Sequence, residues 1–192
     1  MVSESLYTAF MAVLGLERGF ELWLSRRNVA WARAQGGLEY GQEHLRWMKL
    51  LHVGFFAGSL VEVWLLGRTF VPALGFPCLV IALGAQALRY WAISTLGSRW
   101  NVAVVVLPGV GAVTTGPYRF LRHPNYVAVV AEGVAVPLIH GAFLTAIAFT
   151  ALNAWLLSVR IRCEEAALSS HSGYAALFGT RPRFWPTGSG GV

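Results

Sequence analysis

The sequence predicts an all-α, polytopic integral membrane protein with about five transmembrane helices, and three observations carry that prediction. Of 192 residues, 56% are hydrophobic and only 12% charged, with a mean hydropathy of +0.55, whereas soluble domains carry about 25% charged residues. The apolar residues gather into five blocks. The arginines concentrate in alternate connections, as a topology signal does.

The first block covers about residues 6–24, long enough as a helix to cross a hydrocarbon core of about 30 Å. It holds Glu17, Arg18 and Glu21, of which Glu17 and Glu21 share a face and are expected to pair against other helices. The acidic residues Glu4, Glu17 and Glu21, with no basic start, argue against a cleaved secretory signal. The connection 25–47 carries Arg26, Arg27, Arg33 and Arg46.

A second block spans about 48–70 and contains His52 and Glu62, read as packing residues with polar partners. Only Arg68 marks the turn to the third block, about 73–96, within which Arg89 lies. The next connection, 97–125, is again basic, with Arg99, Arg119 and Arg122. The fourth block, about 126–139, would reach only about 21 Å as a helix. It is a short or locally thinned span that closes through Pro137, His140 and Gly141 as a hairpin on the fifth, about 142–161. The tail adds Arg162, Arg181 and Arg183. With the amino terminus outside, all basic connections and the tail share the cytoplasmic face. Cys78 and Cys163 then fall near opposite faces, too far apart for a disulfide. The net charge of +6 is not gathered into a nucleic-acid-reading domain, and the five scattered histidines have no metal-ligand spacing.

The stretch from Gly116 to Tyr126 is dense in cations, turn formers and aromatics. Pro117 suits a turn, and Pro124 suits the first position of a helix whose free amides attract an anion. Arg119 and Arg122 add charge, while Tyr118 and Tyr126 offer flat surfaces for a ring or a sulfonium. The same composition also fits a basic, aromatic interface belt. Arg160 and Glu164, four apart on one helical face, are either an interfacial ion pair or a fork and carboxylate for a polar substrate head. Glu165 is expected to point elsewhere, into solvent. Glu132, set among valines, has to pair with Arg89 or Arg160 or stay protonated, serving either a site or helix-to-helix bonding.

The run Gly116-Pro117-Tyr118-Arg119, then Arg122-His123-Pro124-Asn125-Tyr126, a short hairpin and Arg160-Ile161 with Glu164-Glu165 resembles the isoprenylcysteine carboxyl methyltransferase family. Tyr174, Arg181-Pro182-Arg183-Phe184 and Pro186 resemble its closing segment. The resemblance covers about residues 97–186. It implies an integral membrane enzyme that moves a methyl group from S-adenosylmethionine to a lipid-borne acceptor. It divides the chain into transmembrane helices over 1–96, a methyltransferase core over 97–186 and a disordered tail over 187–192. By the resemblance, Tyr118, His123, Pro124, Asn125, Tyr126 and Glu132 bind the cofactor, with Arg160 and Glu164 catalytic where cofactor and acceptor meet. Glu17-Arg18, Glu21-Leu22, Ser25-Arg26-Arg27-Asn28, Gly41, His44 and Leu51-His52 are similar to bacterial members that methylate alkylpyrones or alkylresorcinols. The acceptor implied is an isoprenylcysteine-type carboxylate or such a hydroxyl. Two competing readings are an NADPH-dependent membrane reductase of related architecture and a small lipid-binding or transport protein.

Overall fold

The computed structural model describes residues 2–172 and 183–184. Tyr174, Arg181, Pro182, Pro186 and the tail 187–192 lie outside the described residues. Five α-helices follow one another: α1 Val2–Ala34, α2 Gln42–Leu65, α3 Pro72–Leu96, α4 Pro124–Leu138 and α5 Phe143–Ser172. Among the described residues three segments are long and apolar enough to cross a membrane, Gln42–Leu65, Pro72–Arg99 and Phe143–His171, and α4 is a shorter apolar helix. Large apolar side chains such as Leu16, Leu65, Val80, Ile147 and Trp155 face outward, as a surface against lipid does.

The helix limits follow local chemistry. Pro72 and Pro124 stand at the first turns of α3 and α4, where the missing N–H costs nothing. The α5 amino terminus is capped from another helix: Glu62 of α2 accepts hydrogen bonds from the amides of Leu144 at 3.0 Å and Thr145 at 2.8 Å, and also pairs with Arg68. An anion there answers both the unsatisfied amides and the helix dipole. Glu62 therefore has the polar partners that the sequence reading expected.

Two features differ from the sequence reading. The first helix does not stop near residue 24 but runs to Ala34, about 50 Å in all. Arg26, Arg27 and Arg33 thus sit on a helix, because arginine is a good helix former and the capping glycines come only afterwards. Gly37 takes up the turn; a Cβ there would stand 2.7 Å from the Ala32 carbonyl oxygen. Nor is the chain wholly α. β1, Leu38–Tyr40, and β2, Val104–Val106, form an antiparallel ribbon in the register Leu38↔Val106, Glu39↔Val105, Tyr40↔Val104.

The main core joins α1 to α5 around Tyr7, Met11, Phe55, Val63, Val136 and Phe149. α4 and α5 approach closely at Gly133, where a Cβ would stand 2.4 Å from Phe149 Cε1. The ribbon packs Val104 and Val106 on Ala167 and Leu168 of α5. It ties the α1–α2 connection to the basic segment between α3 and α4, and so walls one side of a cavity.

Candidate active site

The cavity has a volume of ≈ 650 Å³, within the range of about 300–1,000 Å³ that accommodates small molecules. Its lining comes from the segment 99–113, residues 118–123 with the start of α4, one face of α5, and the facing sides of α1, α2 and α3.

The start of α4 and the face of α5 meet at Tyr126. Its hydroxyl donates to Glu164 and accepts from Arg160 Nε at 2.7 Å. Arg160 is 4% exposed, and its remaining reach is spent on the Val102 carbonyl, with which it also hydrogen-bonds. Arg160 and Glu164 therefore share a face, as their spacing predicts, but meet through the Tyr126 phenol. His123 stacks on the Tyr126 ring at 5.2 Å and an interplanar angle of 20°. Its Nδ1 lies 3.9 Å from Glu164 Oε1.

Tyr118, His123, Asn125, Tyr126, Arg160 and Glu164 all line the cavity. The structure thus brings six of the eight residues singled out in the sequence to one space. Asn125 Oδ1 is buried and accepts no hydrogen bond among the described residues. Pro124 is fully buried at the start of α4 and shapes the wall from behind. Glu132 sits elsewhere. It lies eight residues, about 12 Å, along α4 from Pro124, where Arg89 grips both its oxygens and Arg18 Nη2 approaches Oε1 at 4.0 Å. Of the two cations open to it in the sequence, Arg89 is the partner.

Glu165 departs from expectation. Instead of facing solvent it is 14% exposed and accepts from His123 Nε2 at 3.1 Å, Arg122 at 3.4 Å and Arg183 at 2.9 and 2.5 Å. Helical spacing does place it off the Arg160/Glu164 face. However, the segment 119–123 wraps around the end of α5, so the side chain turned away from the cavity meets a second set of cations. Far from this cluster, Arg18, Glu21, His52 and Arg89 also line the cavity, where the sequence reading expected pairing between helices for the charged three and packing with a polar partner for His52. His52 Nδ1 donates to the Met48 carbonyl, 2.8 Å away, and the ring meets the Phe149 ring edge-on at 5.4 Å.

This geometry presents a bound molecule with a phenol, a buried guanidinium and a carboxylate at one end, and with apolar walls from Gly15, Gly19, Val53 and Phe56 toward α1 and α2. Such a set suits a proton transfer or an oxyanion beside a lipid chain.

The isoprenylcysteine carboxyl methyltransferase (ICMT) family model matches residues 78–170. The uncharacterized protein YpbQ of Bacillus subtilis is 36% identical over 170 residues, spanning 87% of this chain and 99% of its own length. An uncharacterized protein of Haemophilus influenzae is 26% identical over 163 residues, spanning 83% of this chain and 92% of its own.

Proposed function

The chain belongs to the isoprenylcysteine carboxyl methyltransferase family, and from that premise we propose that it transfers a methyl group from S-adenosylmethionine to an oxygen of a lipophilic acceptor. The observation that carries the proposal is the Tyr126 hydroxyl held between Arg160 and Glu164 on the wall of a cavity that continues between α1 and α2. In this reading α1 and α4 complete five spans, the protein resides in a bacterial plasma membrane, and the cavity mouth faces the cytoplasm.

The residues present fit the cofactor. Asn125 offers a buried acceptor oxygen with no partner among the described residues, Tyr118 and Tyr126 offer aromatic faces, and Arg122 lines the same cavity. Tyr118, His123, Asn125 and Tyr126 would hold it, with Pro124 fixing the backbone. When bound, S-adenosylmethionine supplies an electrophilic methyl carbon. Glu132 is not among the residues lining the cavity and supports α4 through Arg89.

The chain's own residues supply alignment and proton handling. Glu164 Oε2 is occupied by the Tyr126 hydroxyl, which leaves Oε1 as the acceptor for a proton from a hydroxyl substrate. Where the acceptor is already a carboxylate, the Arg160 charge, relayed through Tyr126, positions its oxygen. The 99–113 segment, including β2, covers one side of the cavity. Arg160 is a positioning group as much as a charge, because its two bonds hold Tyr126 and Val102 in register.

The test is methyl transfer by purified protein in lipid nanodiscs, with radiolabelled S-adenosylmethionine and a lipid extract as acceptor. Label is expected in the lipid fraction and lost in Glu164→Gln. A folded wild-type protein that transfers no label, or a fully active Glu164→Gln, overturns the reading.

A further inference from the structure

Glu165 stands one position beyond the carboxylate that takes the acceptor's proton, and the chemistry above leaves it unused. Arg183 holds both its oxygens, at 2.9 and 2.5 Å, and Arg122 approaches at 3.4 Å. A carboxylate paired in this way only accepts hydrogen bonds. His123 Nε2, 3.1 Å from Glu165 Oε1, is therefore the donor of that contact. With the proton on Nε2, the neutral ring carries its lone pair on Nδ1.

That lone pair faces the proposed proton acceptor. Nδ1 lies 3.9 Å from Glu164 Oε1, the oxygen left over once Oε2 is taken by the Tyr126 hydroxyl. Two acceptor atoms thus look at each other from about 1 Å beyond hydrogen-bonding range. One proton, or one bridging water, turns this opposition into an attraction. The ring is not free to turn away: His123 is 4% exposed, stacks on Tyr126 at an interplanar angle of 20°, and is tethered at Nε2. An imidazolium formed here lies between the carboxylates of Glu164 and Glu165, with Arg122 and Arg183 on Glu165.

We infer that His123 and Glu165 form a dyad that draws off the proton accepted by Glu164, Glu165 being the positioning residue that keeps the Nδ1 lone pair aimed at Glu164. This rests on the methyltransferase reading and adds to it the route the proton takes when the acceptor is a hydroxyl. The O–H bond of the acceptor breaks and its electron pair stays on oxygen. That oxygen forms the new bond to the methyl carbon of S-adenosylmethionine, and the pair of the broken carbon–sulfur bond goes to sulfur. The proton passes to Glu164 Oε1 and on to His123 Nδ1, which returns Glu164 to a carboxylate. His123 gives it to water once the product has left. Glu165 orients and stabilises the imidazolium without being protonated itself, as the carboxylate of a catalytic triad does.

The experiment compares wild type with Glu165→Gln in nanodiscs on two acceptors of equal chain length. One is an alkylphenol, whose hydroxyl keeps its proton at neutral pH as tyrosine does, and the other is the alkyl nitrophenol, ionised at the assay pH. The amide oxygen of glutamine can keep the contact to Nε2, so the charge is what the variant removes. Glu165→Gln is expected to lower kcat on the phenol about tenfold or more, to change kcat on the nitrophenol by less than about twofold, and to bind S-adenosylhomocysteine within about twofold of wild type. Equal losses on both acceptors, or no loss on either, overturn the dyad, because a merely structural role does not tell a protonated oxygen from an ionised one. Should Glu165→Gln fail to fold, nitrogen-15 NMR of histidine-labelled wild type decides, with the His123 signals identified by their loss in His123→Gln. A protonated Nε2 supports the dyad and a bare Nε2 overturns it. Wild type that binds S-adenosylhomocysteine without methylating the phenol overturns the dyad and leaves the cofactor site standing. A protein that binds no S-adenosylhomocysteine removes the underlying reading as well.

Discussion

Arg160 Nε donates to the Tyr126 hydroxyl at 2.7 Å, so a buried guanidinium on α5 is joined to the first turn of α4 through a neutral phenol. The phenol in turn donates to Glu164, and this relay orders both ends of the fork at once. Tyr126→Phe removes only an oxygen, yet strands two polar groups, each at a cost of about 1–3 kcal/mol. Methyl transfer is expected to fall by about ten- to a hundredfold with helicity by circular dichroism unchanged. Undiminished transfer would show that the relay plays no part in the reaction.

The Arg89–Glu132 pair is expected to behave as buried ion pairs do. Removing one partner leaves an uncompensated charge and costs about 3–5 kcal/mol, whereas replacing both with apolar groups of similar size is far less harmful. Thermal unfolding in detergent should therefore rank Arg89→Met well below wild type, with Arg89→Met/Glu132→Met recovering at least half of the loss. A double variant as unstable as the single one would contradict the pairing.

How far the site could be read from the chain depended on the kind of contact. The start of α4 was legible because Pro124 announces it. The shared face of Arg160 and Glu164 followed from helical periodicity. The ribbon was not legible: each strand has three residues, too few to show alternation, and the partners are far apart in sequence. The extension of α1 to Ala34 was masked by arginines that resemble a cytoplasmic loop. Glu165 was missed because periodicity describes a helix face but not the loop wrapped around it. The choice between Arg89 and Arg160 as the partner of Glu132 depended on relative depth in adjacent helices, which no local pattern encodes.

Glu62 binds the amino terminus of α5 through the Leu144 and Thr145 amides. Losing such a cap costs about 0.5–2 kcal/mol, and Arg68 loses its partner as well. Glu62→Ala is expected to lower the thermal unfolding midpoint while cofactor binding at the distant cavity persists in the fraction still folded. An unchanged midpoint would mean the cap contributes no net stability.

Gly133 leaves no room for a methyl group, since Phe149 Cε1 would stand 2.4 Å from it. Gly133→Ala should destabilise by about 1–3 kcal/mol through overpacking. Pairing it with Phe149→Leu should relieve the clash, so that the two changes combine non-additively in unfolding experiments. Additive losses would place the ring elsewhere.

In the proposed function the cavity beside Tyr126 binds S-adenosylmethionine, and equilibrium binding of its stable product reports on that site without requiring an acceptor. Titration calorimetry of S-adenosylhomocysteine into the purified wild-type protein should give saturable binding, weakened about tenfold or more in Asn125→Leu, which removes the buried acceptor oxygen. A folded protein that gives no heat with S-adenosylhomocysteine but binds NADPH would rule out methyl transfer at this site.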